Sequence, residues 1–265
     1  MITLFTKSSS GSLVLLTVYV DDILLAGDDL TEIKSLKSFL DDQFKIKDLG
    51  SVHYFLGLEI SKTPPPPSQG YIMSQHKYTN DLLAEFNCNY FSSVVTPLDP
   101  FVTLTLDMGD LLPDPSLYRS LIGKFNFLQH TRPNISFSVQ HLSQFFQKPH
   151  VPHMMVGLHV LRYLLARPSQ GVLLSNSSDL YLVAYSDSDW DSGGISRKSI
   201  TGFYVTLGGS SISWKSKKQP TISLSSAEAE YRALRKVAAE ISWLVRLLGD
   251  LGFTICTHVP VHCDS

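Results

Sequence analysis

The period of the hydrophobic positions changes along this chain, and each change marks a different kind of element. Residues 13–20, "LVLLTVYV", and Ile23 to Leu25 have strand composition, broken only by Asp21 and Asp22. A two-residue polar break between such runs predicts a β-hairpin. Behind it, Asp28 and Asp29 offer helix-start signals, and Ile33, Leu36, Leu40 and Phe44 recur at helical spacing. That pattern predicts a helix with one face on a sheet. "DLGSVHYFLGLEISKT" returns to strand chemistry, and "GYIMSQ" is its partner across Pro64 to Pro67. Four prolines cannot pair in a sheet and favour an extended polyproline tip, either a tolerated loop insertion or an SH3-type ligand.

The middle of the chain switches to helical spacing. "HKYTNDLLAEF", "LYRSLIGKFNFLQH", "ISFSVQHLSQFF" and "HMMVGLHVLRYLLA" read as four helices, with "TPLDPFVTLTLDMGDLLPDPS" as a long exposed connection. His141, His150, His153 and His159 fall in or beside these helices and read as ordinary surface or core residues. From Gly171 the spacing is again that of strands. "DLYLVAYSD", "TGFYVTLGG" and "SSISWKSKK" predict a three-stranded meander that turns at Gly208-Gly209. A long helix, "SSAEAEYRALRKVAAEISWLVRLLGDLG", follows, and "HVPVHCDS" starts another strand.

Composition narrows the function classes. Of 265 residues, 43% are hydrophobic and 17% charged, enough for a sizeable core and too apolar for wholesale disorder. The net charge of −2 gives no global basic footprint, so any nucleic-acid contact must come from local patches. Cys88, Cys256 and Cys263 lack paired spacing, which fits a reducing compartment. Nine histidines invite a zinc site, but no Cys/His pairs sit at ligand spacing. No stretch is long enough to span a bilayer, and no signal cleavage site follows the first apolar run, so the reading is intracellular.

The carboxylates are the candidate chemistry. Asp21 and Asp22 have two readings: turn residues, or ligands for divalent cations in phosphoryl chemistry. Asp187 and Asp189 end the first strand of the meander and share one face. In the long helix, Ser225 and Glu228 form a capping box, which gives Glu228 a structural duty. Glu230 instead falls on the stripe of Leu234, Val237, Ile241, Leu244 and Leu248, the face expected on the sheet. A carboxylate there is costly unless paired or metal-bound. With Asp264 on a neighbouring strand, Asp187 and Glu230 form an acidic set suited to two magnesium ions.

Motifs then carry a resemblance. "YVDDILLAG", "DLGSVHYFLGLEI", "YRSLIGKFNFLQHTRPNISFSV", "AYSDSDWDSGGISRKSITGF", "ISWKSKKQPTISLSSAEAEYRAL" and "VHCDS" resemble, in order, the Pol polyprotein of plant copia-type retrotransposons. The resemblance runs along nearly the whole chain. It implies a mixed α+β and α/β chain in which residues 1–75 are the end of a reverse transcriptase palm with its primer-grip hairpin. Residues 76–170 would be a helical thumb and connection, and 171–265 the first part of an RNase H-like fold. It also implies that Asp21 and Asp22 hold catalytic Mg2+ in the polymerase site, and Asp187, Glu230 and Asp264 in the nuclease site. RNA template, DNA primer and RNA–DNA hybrid are the implied partners, with no membrane. Arg197, Lys198, Lys215, Lys217 and Lys218 make the expected basic surface for the hybrid backbone.

Departures from the family are specific. The family usually has Asp where this chain has Asn134, and often a basic residue at His159. Counterparts of the fingers, most of the palm and the later RNase H elements are not found in the 265 residues. The expectation is therefore a slice of Pol that is catalytically incomplete alone. The rival is a non-catalytic nucleic-acid- or partner-binding protein derived from a retrotransposon.

Overall fold

A computed structural model describes residues 3–9, 11–63, 70–190, 196–256 and 258–263. Strands β1 (Thr3–Ser9), β2 (Ser12–Tyr19) and β3 (Asp22–Gly27) form an antiparallel sheet in that order. The β2–β3 hairpin is the one the apolar runs predict; β1 is an addition the sequence pattern did not reveal. Helix α1 (Leu30–Phe44) starts at Asp29, whose carboxylate accepts from the Thr31 and Glu32 amides and satisfies two of the orphan donors. Lys7 on β1 pairs with Glu32 at 2.6 Å, so the helix lies across the sheet. Ile33, Leu36 and Leu40 turn inward as expected. Phe44 does not: it is 70% exposed, at the last helical residue before a left-handed Lys45 redirects the chain.

The second sheet contains β4 (Tyr54–Phe55), β5 (Leu58–Lys62) and β6 (Gly70–Ser74), and its fourth strand comes from beyond the helices. The expected Pro64–Pro67 tip lies outside the described residues. Helices α2 (His76–Glu85), α3 (Pro115–Leu128), α4 (Ser136–Ser143) and α5 (Val151–Leu165) pack around Leu83, Tyr118, Leu121, Phe125, Leu142 and Leu161. The chain then returns as β7 (Val172–Ser175), antiparallel to β6 with Met73 opposite Val172. A Cβ on Gly70 would stand 2.1 Å from the Leu174 carbonyl oxygen, and one on Gly171 2.2 Å from that of Met73. Only glycine permits this approach. The pairing carries the chain across the break expected at 170/171.

The connection before α3 is not wholly exposed, contrary to the sequence reading. Leu104 is buried in the helical core, and Leu98, Met108 and Leu112 pack against it. Histidines hold this segment in place. The His153 Nδ1 accepts the His150 amide at 2.8 Å, which puts its proton on Nε2; that nitrogen donates to the Thr105 carbonyl at 2.9 Å. His150 Nδ1 donates to the Gly109 carbonyl at 2.8 Å, and His159 Nε2 to that of Thr96 at 3.0 Å.

Burial pushes the His153 pKa below the ordinary imidazole value of 6.5, and the same cause lowers that of His141. A proton on His153 Nδ1 would also cancel the bond from His150. As pH falls through about 6.5 the unfolded chain therefore binds protons that the folded chain resists, and stability drops until the lower folded values are passed. Thermal melts should show a melting temperature that declines from pH 7.5 toward 5, less steeply in His153→Gln. A flat profile would refute this role.

The third sheet has the order β10-β9-β8-β11, with β8 (Leu182–Asp189), β9 (Ile200–Leu207), β10 (Ser210–Lys218) and β11 (Val261–His262). The first three are the antiparallel meander read from sequence, and β11 lies parallel to β8. A parallel pair needs a crossover, which α6 (Ser226–Asp250) supplies. Its buried stripe is Ala229, Ala233, Val237, Ile241 and Leu244, packed on Leu182, Ala184 and Val205. The small residues at its start, not Glu230 and Leu234, form the centre of that stripe; those two flank it. The opposite sheet face meets α4, and Trp214 Nε1 donates to the Gln129 carbonyl at 2.9 Å. No described helix is long and apolar enough to cross a membrane.

Candidate active site

The first pair of candidate carboxylates sits at the β2–β3 tip. Tyr19 pairs with Asp22, so Val20 and Asp21 alone make the turn. The turn reading of the two aspartates requires them to tolerate unusual backbone, but the left-handed residue is Val20, at φ 54°. A β-branched side chain in that region costs about 1–3 kcal/mol, and Val20 is 79% exposed, so no packing offsets it. Turn chemistry therefore accounts for Asp21, one of the two turn residues, but not for Asp22, which is paired within β3. Both are exposed, and neither has a hydrogen-bond or ion-pair partner among the described residues. Free adjacent carboxylate oxygens suit a hard divalent cation. Among the described residues no third acidic, histidine or cysteine ligand joins them.

The second set forms where β8 ends beside the start of α6. Leu182, Ala184, Ser186 and Ser188 are buried toward α6, while Tyr185, Asp187 and Asp189 alternate to the other, exposed face. The Ser225 hydroxyl accepts the Glu228 amide at 3.1 Å, as the capping pattern predicts. The return bond is displaced by one residue: Glu228 Oε2 accepts the Leu224 amide at 2.7 Å, and Oε1 pairs with Arg232 at 2.6 Å. The Leu224 bond, then Arg232, holds the Glu228 carboxyl below its usual range. Glu230 does something else. Its Oε1 accepts the Ser188 amide at 3.0 Å, which fixes a helix carboxylate against the backbone directly after Asp187. The third expected member, Asp264, lies outside the described residues.

The sequence reading missed the residue that ties this corner together. Gln219 is 4% exposed, and its Nε2 faces Ala229 O at 3.0 Å, Thr201 Oγ1 at 3.1 Å and Ser188 Oγ at 3.3 Å. Its Oε1 accepts from Ser223 Oγ at 2.9 Å. One side chain thus joins β8, β9, the loop before α6 and the first turn of α6. No sequence signal marks it beyond a glutamine after a basic run. Gln219→Leu keeps the size and orphans this buried set, so it should cost about 2–3 kcal/mol in urea denaturation; a loss under about 0.5 kcal/mol would count against the clamp.

The expected basic surface is divided. Lys198 donates to the Pro220 carbonyl at 2.7 Å, and Lys218 to the Gln144 side chain on the α4 side. Burial, then the charge of Lys198, lowers the Lys218 pKa. Lys215 and Lys217 are exposed and pair with Phe203 and Thr201, positions on the α6 side of the sheet. Arg197 is exposed, with left-handed backbone. The Asp187 face borders a cleft of about 630 Å3 against Pro133, Ser136 and Phe137. A row of rings crosses its floor: Trp214, Tyr204, Tyr185 and His262, with centroids 6.4, 6.4 and 5.2 Å apart in turn.

Comparison with known proteins gives a consistent relationship. The sequence model of the reverse transcriptase (RNA-dependent DNA polymerase) family matches residues 1–100. The chain is 40% identical over 264 residues to the retrovirus-related Pol polyprotein from transposon RE2 of Arabidopsis thaliana, covering 99% of this chain and 18% of that protein. It is 34% identical over 270 residues to the Pol polyprotein from transposon TNT 1-94 of Nicotiana tabacum, covering 98% and 20%. An uncharacterized mitochondrial protein of Arabidopsis thaliana is 40% identical over 228 residues, which are 86% of this chain and 93% of that protein. The chain therefore spans about a fifth of the Pol polyproteins it matches. No solved structure matches it.

Proposed function

This chain belongs to the Pol polyproteins of copia-type retrotransposons, as a segment that includes reverse transcriptase sequence, and we propose that it carries parts of two magnesium-dependent sites acting on nucleic acid. In this reading Asp21 and Asp22 are one side of the polymerase metal site, on the last strands of a palm. Residues from β8 onward are the first part of an RNase H-like unit, in which Asp187 and Glu230, with Asp264, hold metal beside RNA paired to DNA. The observation that carries it is the Glu230–Ser188 bond, which brings a carboxylate from a crossover helix to the backbone at the end of β8, one residue beyond Asp187, whose own side chain leaves from the opposite sheet face. A carboxylate at that position has no apolar packing duty, unlike Ala229 and Ala233 beside it. Mg2+ bound there would polarise the phosphodiester and activate a water. The protein's own share is to hold the oxygens in place: the Ser188 amide orients Glu230, and Gln219 fixes strand against helix.

A non-catalytic nucleic-acid-binding role is the second reading, favoured by the described residues bringing no three acidic, histidine or cysteine groups together at one point. The polymerase assignment separates the two. Metal-ion phosphoryl transfer takes carboxylates from both sides of the metals, and the hairpin supplies one. Primer extension on RNA by the 265-residue chain should equal that of its Asp21→Ala variant. Joined to the family's fingers and palm, the chain should extend primers and lose that activity in Asp21→Ala. Extension that ignores Asp21 in the joined protein would refute the assignment.

A further inference from the structure

The lysines of β10 that face α6 do not stand alone. Ser213 Oγ donates to Glu240 at 2.7 Å, which sets the β10-facing side of the helix beside the sheet edge. Stepping back one helical turn from Glu240 gives Lys236, and stepping along β10 from Ser213 gives Lys215 and then Lys217. Arg235 adjoins Lys236 on the outer surface. All four are exposed, and none has an ion-pair or hydrogen-bond partner among the described residues. The carboxylates on this flank are engaged: Glu240 with Ser213, and Glu228 with Arg232 and the Leu224 amide. In a chain of net charge −2 this is a local concentration of uncompensated positive charge.

We propose that Lys215, Lys217, Lys236 and Arg235 form a track for a nucleic-acid backbone that leads to the Glu230 end of the sheet. Lys215 and Lys217 are alternate residues of an extended strand, so their backbones are about 6.6 Å apart along a straight line. Lys217 lies in the same cross-strand row as Thr201 and Ser188, the residue whose amide holds Glu230. That row spans two strand spacings, about 9.6 Å. A polyanion with regularly repeating charge laid along β10 and α6 therefore runs into the carboxylate corner, whereas Lys198 and Lys218 are tied to protein groups elsewhere. The direction of the track rests on the nuclease reading of Glu230; the existence of the track does not.

The test uses the full 265-residue chain in EDTA with a fluorescently labelled RNA–DNA hybrid, so that binding is read without cleavage. Lys215→Glu/Lys236→Glu should weaken binding at least about tenfold and lower the slope of log affinity against log salt by about 2, since each lost phosphate contact removes about 0.9. The neutral pair Lys215→Gln/Lys236→Gln should show a smaller loss in the same direction. Lys47→Glu, exposed in the segment after α1 and outside β10 and α6, should leave binding near wild type. Flank variants that shift binding no more than Lys47→Glu overturn the track and leave the nuclease reading standing. Equal binding of an acidic peptide of matched charge overturns nucleic acid as the partner. Wild-type chain that fails to bind hybrid at about 50 mM salt overturns both.

Discussion

Replacing Asn134 with aspartate should raise the stability of this chain by about 2 kcal/mol, because it supplies a counter-ion to a buried guanidinium. Arg132 is 1% exposed, between α3 and α4. Its Nη1 donates to the Arg167 carbonyl at 3.0 Å, and its Nε reaches the Asn134 side-chain oxygen only at 3.3 Å. Burial lowers its pKa, with Tyr163 opposing the shift, and no carboxylate pairs with it among the described residues. Asn134 also donates to the Tyr163 hydroxyl. An aspartate in the same rotamer would accept from both neighbours, since the tyrosine hydroxyl can turn to donate. Breaking a buried pair costs about 3–5 kcal/mol, and the new carboxylate brings its own desolvation cost, so the net gain is smaller. Urea denaturation should show a higher midpoint with an unchanged slope. An unchanged or lower midpoint would mean that Arg132 is adequately satisfied by neutral groups. Asn134 thus has a physical consequence: the Arg132 guanidinium is held in the core by neutral groups alone among the described residues.

What could be read in the sequence was what local chemistry decides. The β2–β3 hairpin, the helical stretches, the Gly208-Gly209 turn and the Ser225 cap depend on residues within one or two turns of each other. The features that escaped depend on distant approach. β7 joins the second sheet because Gly70 and Gly171 allow it to, and no periodicity records a partner about a hundred residues away. Gln219 is ordinary in sequence and central in space. The lysines show how little can decide a surface. A bulge at Ile212, between Ser211 and Ser213, shifts the β10 register by one residue. Without it Lys215 and Lys217 would pair with Gly202 and Ile200 and turn to the Asp187 face; with it they turn to α6. The sequence reading identified those two lysines but could not assign their side, and it missed Lys236 and Arg235, which share it.

The opposite fates of Glu228 and Glu230 give the most discriminating test of the proposed nuclease site. Both are acidic residues in the first turn and a half of α6, and substitution by glutamine changes either by one atom type. Glu228 serves the helix: its carboxylate accepts the Leu224 amide and pairs with Arg232, and a negative charge there suits the helix start. Glu228→Gln should lower the melting temperature slightly, because the amide oxygen can still accept one of these bonds. Glu230 serves the corner. In Glu230→Gln the amide oxygen still accepts from Ser188, so the fold should stand, but the negative charge needed to hold a divalent cation is gone. In a chain extended by the family's downstream RNase H segment, Glu230→Gln should abolish cleavage of RNA in an RNA–DNA hybrid. The same variant should bind hybrid in EDTA as wild type does and melt within a degree or so of it, about the shift that a few tenths of a kcal/mol produces. Glu228→Gln should retain most of its cleavage. Cleavage surviving in Glu230→Gln and lost in Glu228→Gln would exchange the two assignments and leave the Ser188 bond as a purely structural contact.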